Sequence, residues 1–183
     1  MRSFCQKFLF LVLGCTVVAC NHVSKYQQQQ EVLSRIIGKE VHFSNLIPLN
    51  VPLYMKLDSL LTRTKHKVVI YVDSSNCEDC RISKALAVRG YELELKRKQK
   101  EIPFIYIFNT QDIVLLKNYL DRLGFRHYYF VETDNTFLSD NGISSDARFH
   151  TFLLEDSKIK VIGNPSENLK IKDLYNRVLR TSK

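Results

Sequence analysis

Asp-Ser-Ser-Asn-Cys-Glu-Asp-Cys-Arg, residues 73 to 81, places Cys77 and Cys80 two residues apart. Behind the pair stands Lys-Val-Val-Ile-Tyr-Val-Asp, residues 67 to 73, a short β-branched run expected for a strand buried on both faces. Ahead of it, Ile82, Ala85, Leu86 and Leu93 recur at helical spacing. The pair therefore sits where a buried strand turns into a helix. Such a pair is compatible with a redox couple, with part of a metal site, or with a staple of the strand–helix junction.

Working outward, residues 102 to 108 (Ile-Pro-Phe-Ile-Tyr-Ile-Phe) read as a second buried strand. Residues 111 to 125 read as a helix, which Asn109 or Thr110 can cap and Gly124 can end. Gly90 is expected to bend or interrupt the helix that follows the cysteines. Residues 127 to 132 form a third strand candidate, and 133 to 146 a loop. Residues 149 to 156 and 158 to 163 read as a hairpin, and 168 to 180 as a closing amphipathic helix. On the N-terminal side, 31 to 38 and 53 to 66 show helical periodicity, the latter through Leu53, Leu57, Leu60 and Leu61. The stretch between them, with Pro48 and Pro52, reads as an extended connector. The early strands alternate with helices and should be parallel; the hairpin makes the sheet mixed.

The first twenty residues stand apart. Arg2 and Lys7 precede an apolar run from Phe8 to Ala19, of signal-peptide length. The run ends in Val17-Val18-Ala19-Cys20, which resembles the lipobox of bacterial lipoproteins. That resemblance implies that Cys20 is lipidated and becomes the mature N-terminus. Cys15 is a second candidate, but it would leave the apolar stub Thr16 to Cys20 on the mature chain. An ordinary secretory signal or an N-terminal anchor helix remain alternatives; every version places the rest of the chain outside the cytoplasm. The Gln-rich residues 21 to 30 read as a tether. The expected organisation is signal peptide 1–20, tether and extension 21–52, and one folded domain 53–183.

Cys5, Cys15 and Cys20 belong to the export segment, so the mature chain keeps only Cys77 and Cys80. In an oxidising compartment two lone thiols do not stay idle by default. Of the 183 residues 45% are hydrophobic and 11% aromatic, enough for a packed core rather than a disordered chain. The net charge is +8, and +6 once Arg2 and Lys7 are removed. The compartment and the spread of basic residues along helices exclude nucleic acid as the expected partner. With six glycines and no cluster among them, no phosphate-binding loop is present, and no cofactor is expected.

A Cys-x-x-Cys between strand and helix, in this element order, resembles the thioredoxin fold from about residue 53 to 182. The closing segment from Phe149 to Pro165 resembles the last hairpin of the TlpA and peroxiredoxin-like branch. The resemblance implies an α/β three-layer sandwich, with a mixed central sheet, helices on both faces, and a C-terminal hairpin plus helix. It also implies thiol–disulfide exchange, with Cys77 as attacking sulfur at a helix N-terminus and Cys80 as resolver. Together with the lipobox, the chain is similar to thioredoxin-like lipoproteins of Gram-negative envelopes, exchanging with envelope proteins that carry thiols or disulfides. Asn21 supplies no inner-membrane retention signal, which favours an outer-membrane anchor facing the periplasm.

The chain departs from the family pattern at three positions. Asn76 stands where Trp is usual before the first cysteine, and Tyr71 where the first strand usually buries a carboxylate. His150 stands at the position of the cis-proline that faces the disulfide. Glu78 and Asp79 lie between the cysteines and oppose a thiolate, while Arg81 and Lys84 offset them. Two other readings stay open. One is a redox-inactive binding or assembly module that keeps the fold. The other is a Cu(I) or zinc carrier using Cys77, Cys80 and His150, since two thiolates and an imidazole suit those ions.

Overall fold

The computed structural model describes residues 27, 29–50, 64–73, 82–83 and 86–181. The export segment with Cys20, the leucine-patterned stretch 53–63, and both Cys77 and Cys80 lie outside the described residues. The chain divides into two compact units, residues 1–35 and 36–183. In the first, residues 29–35 are helical, so helix begins within the stretch read as tether. Arg35 pairs there with Glu31, one turn back, at 2.5 Å.

The second unit is built on a six-stranded mixed sheet. Its strands are β1 (Ile47–Pro48), β2 (His66–Asp73), β3 (Phe104–Asn109), β4 (Tyr129–Glu132), β5 (Thr151–Glu155) and β6 (Lys158–Ile162). Their spatial order is β1-β4-β3-β2-β5-β6. Strands β2, β3 and β4 run parallel. The other three pair antiparallel, as the hairpin pattern of β5 and β6 anticipated. The helices are α1 (Arg89–Arg97), α2 (Ile113–Arg122), α3 (Phe137–Asp140) and α4 (Leu169–Val178).

Strand β3 decides the architecture. All six of its residues are buried, because β2 and β4 flank it and both faces are covered. On one face Tyr106 and Phe108 join Val68, Ile70 and Val72 of β2 in a core closed by Tyr91 and Leu95 of α1, Leu116 and Leu120 of α2, and Tyr175 of α4. On the other face Tyr71 stacks on Phe137 of α3, which in turn meets Phe43. Helices on both faces of a mixed sheet make this an α/β sandwich, as the element order implied.

Several local expectations need correction. The helix after the cysteines is not broken at Gly90, which is helical; the irregularity falls at Ala87–Val88, where Val88 is wholly buried. The Tyr91 N–H reaches back only three residues, to the Val88 carbonyl at 3.0 Å. Helix α2 is capped by neither Asn109 nor Thr110 but by Asp112, whose carboxylate accepts the Leu115 N–H at 2.8 Å. The connector contributes β1, a two-residue edge strand antiparallel to β4. The sheet thus takes in residues from the stretch read as N-terminal extension, and so does the core, through Ile36 and Val41. Helix α4 starts as expected, with the Asn168 side chain accepting the Lys170 and Ile171 N–H groups. Among the described residues no helix is long and apolar enough to cross a membrane.

The β5–β6 hairpin is tied to β2 by charge. Lys67 is buried and donates to the Asp156 carbonyl in the hairpin turn at 2.8 Å. Glu155 meets Lys160 at 2.9 Å and Lys65 at 3.1 Å. These two lysines hold its carboxyl at about 2, well below the usual carboxylate range. A carboxyl depressed on folding stabilises the native state above its unfolded value and loses that contribution as it is protonated. Urea denaturation should therefore show stability falling as pH drops from about 4.5 towards 2, and Glu155→Gln should flatten part of that slope. A variant with the unchanged slope would show that solvent screens these pairs completely.

Candidate functional site at the C-terminal ends of the parallel strands

Strands β2, β3 and β4 each end on a polar residue: Asp73, Asn109 and Glu132. The register sets these side by side, Asp73 opposite Asn109 and Asn109 opposite Glu132. Three apolar strands thus end on one polar shelf. Residues 74 to 81, with Cys77 and Cys80, follow Asp73 in the sequence, and the chain is helical at Ile82 and Ser83. In parallel α/β sheets this is the end at which ligand-binding and reacting groups collect.

The shelf is organised by a buried carboxylate. Glu132 is 1% exposed, and Tyr71 donates its hydroxyl to Glu132 Oε2 at 2.9 Å. The Phe137 N–H, at the start of α3, donates to Glu132 Oε1 at 2.5 Å. The Glu132 carbonyl accepts the Thr110 N–H at 3.1 Å, which joins the shelf to the entry of α2. Beside this, Asn109 donates its amide to Asn135 Oδ1 at 2.6 Å. Burial first, and then hydrogen bonding to Glu132, push the Tyr71 phenol well above its ordinary pKa, so the hydroxyl stays a donor. The Tyr71 hydroxyl on β2 thus reaches past β3 to a carboxylate on β4.

On its other flank Tyr71 meets His150. The Tyr71 N–H donates to the His150 carbonyl at 2.8 Å, and the rings meet edge-on at 5.2 Å between centroids. A short 3-10 turn, Ala147–Phe149, delivers His150; Asp146 opens that turn by accepting the Arg148 N–H. No described peptide bond is cis. His150 Nε2 lies 3.2 Å from the Ser144 carbonyl. A carbonyl only accepts, so this contact is a hydrogen bond in the tautomer that carries the proton on Nε2. No group of three or more potential ligands occurs among the described residues.

The sequence reading placed Tyr71 and His150 at this end of the sheet, and the structure brings them into contact. Glu132 carried no expectation there, and Asn109 was expected only as a helix cap. A signal existed: each apolar run of the parallel sheet closes on a polar residue.

Comparison with known proteins supports the fold. No family model matches the chain, and no curated protein matches it. Among solved structures, a domain of a possible thiol-disulfide isomerase from Cytophaga hutchinsonii superposes with a TM-score of 0.54 at 16% identity, covering 80% of this chain and 97% of that one. The thioredoxin domain of a thiol-disulfide oxidoreductase from Bacteroides vulgatus gives a TM-score of 0.52 at 16% identity, covering 80% and 98%. The fold is therefore thioredoxin-like.

Removing the Tyr71 hydroxyl should leave a buried carboxylate oxygen without its donor. Tyr71→Phe is expected to cost about 1–3 kcal/mol in urea denaturation. Combining it with Glu132→Leu should cost less than the sum of the two single changes. Strict additivity would show that the hydroxyl and the carboxylate do not depend on each other.

Proposed function

We propose that this protein is a lipid-anchored, extracytoplasmic thiol–disulfide oxidoreductase that works through Cys77 and Cys80. The observation that carries the reading is the place of the pair in the chain. It follows the parallel strand β2 in the chain, at the end where the polar shelf lies, and the chain is helical by Ile82, five residues after Cys77. A staple alone explains such a pair poorly, because so short a loop gains little from closure. The thioredoxin-like fold adds support, as do the thiol-disulfide activities named for the two proteins it resembles.

The Cys77 thiolate attacks one sulfur of a partner's disulfide. A mixed disulfide forms and one partner thiolate leaves. The Cys80 thiolate then attacks the Cys77 sulfur, releasing the second partner thiolate and leaving a Cys77–Cys80 disulfide. Two electrons pass to the partner, and the same steps in reverse oxidise a partner dithiol. Partners are envelope proteins bearing thiols or disulfides. The lipid on Cys20 holds the domain at a membrane, with the outer membrane facing the periplasm as the favoured place. Loss of labelled palmitate incorporation in Cys20→Ser tests the anchor; unchanged incorporation would refute it.

Redox titration of residues 21–183, which contain no other cysteine, tests the chemistry. Thiol trapping should reveal a reversible two-electron transition between about −120 and −270 mV, the range of exchange proteins. Cys77→Ser should abolish exchange with a disulfide substrate. A disulfide still intact below roughly −300 mV would make the pair a structural bridge and the domain a binding module.

A further inference from the structure

The opposite end of the parallel strands holds a cleft of about 910 Å³. The end of α1 forms one wall. The residues entering β3 and those entering β4 form the others, and Thr64, ahead of β2, closes it. Cys77 and Cys80 follow the far end of β2, so this cleft does not belong to the shelf described above.

Its polar groups are unusual in being buried and only partly matched. Glu92 and His127 have side chains 8% and 15% exposed, with Oε2 and Nε2 3.5 Å apart. Lys96 approaches the other Glu92 oxygen at 2.8 Å. Against His127 lies Tyr106, wholly buried, with ring centroids 5.2 Å apart. The Tyr106 hydroxyl has no hydrogen-bond partner, and neither does the buried Thr64 Oγ1 on the cleft wall. Unpartnered buried hydroxyls are rare in folded proteins and unfavourable. These two, one in the wall and one packed behind it, are the only ones among the described residues.

The charges of the cleft do not cancel. Lys96 matches Glu92, which leaves Lys100 and Arg126 against Glu101. The Lys100 ammonium donates to the Leu179 carbonyl at 2.8 Å, which orients the charge without neutralising it. Arg126 lies 4.0 Å from the exposed Asp121 and donates to the Phe125 carbonyl at 3.4 Å, so its charge is only weakly matched. Burial lowers the His127 pKa, so the imidazole adds no further cation at neutral pH. Beside these cations Leu95, Ile102 and Phe104 supply apolar surface. Polar groups converging on an apolar wall define a small-molecule pocket.

We infer that this cleft binds a small organic anion, its apolar body against Leu95, Ile102 and Phe104 and its negative head at Lys100 and Arg126. The inference does not rest on the thiol chemistry and stands or falls apart from it.

Phenylacetate is the probe, followed by NMR titration of the full chain. Benzylamine serves as the same body with opposite charge, and inorganic phosphate as the charge without the body. Phenylacetate should shift the signals of Leu95, Ile102, Phe104 and His127 saturably below about 10 mM, and benzylamine should not. Arg126→Glu lies at an exposed position and should weaken binding roughly tenfold while the spectrum elsewhere stays native. No saturable shift, an equal response to benzylamine, or unchanged affinity in Arg126→Glu would each overturn the inference. Phosphate binding as tight as that of phenylacetate would overturn the assignment of an organic ligand.

Discussion

The whole second unit depends on the burial of strand β3 on both sides and both faces. A strand with no exposed residue has every main-chain group committed to its neighbours, so β2 and β4 must flank it in register. Both neighbours run parallel to it, and parallel neighbours need crossovers that return the chain to the start of the sheet. Helices α1 and α2 run in those crossovers and close the same core face. The three strands consequently end at one level, and the polar shelf of Asp73, Asn109 and Glu132 is a product of that register.

At the shelf the low dielectric of the interior makes polar pairing strict. A carboxylate with 1% exposure is tolerable only when its oxygens have donors, and Glu132 has one for each. The Tyr71 hydroxyl supplies one, and the free N–H at the head of α3 supplies the other. Tyr71 is in turn held by the His150 carbonyl and by the Phe137 ring. The loop that carries α3 and the turn before β5 are therefore fastened to the central strand through one tyrosine. Tyr71 and His150 are thus coupled to each other through a main-chain hydrogen bond and an edge-on ring contact.

What was legible in the sequence followed from pattern strength. The parallel strands announce themselves because burial on both faces requires unbroken apolar runs, and α4 does so because an amphipathic stripe follows an Asn cap. The Tyr71–Glu132 bond joins residues 61 positions apart, and no local period encodes such a pairing. Strand β1 has two residues, too few for alternation to show, and it exists because β4 offers an open edge. The cap of α2 went to Asp112 because Asn109 was drawn into a bond with Asn135, a choice that only the assembled shelf makes. The break expected at Gly90 falls instead at Ala87–Val88, where packing rather than propensity sets the helix geometry.

The same topology explains why the two ends of the sheet differ in chemistry. Helix α1 carries the chain from the shelf end of β2 back to the start of β3, so Glu92, Leu95 and Lys96 near its close stand at the cleft. A parallel sheet presents its carbonyl ends at one edge and its amide ends at the other, and the loops at each edge accumulate different side chains. Here the shelf edge gathers Asp73 and Glu132 with neutral amides, and the cleft edge gathers Lys96, Lys100 and Arg126 against Glu92 and Glu101, an excess of one cation. A basic edge attracts anions. Helix α1 links the two ends, and the cleft shares no residue with the shelf of Asp73, Asn109 and Glu132.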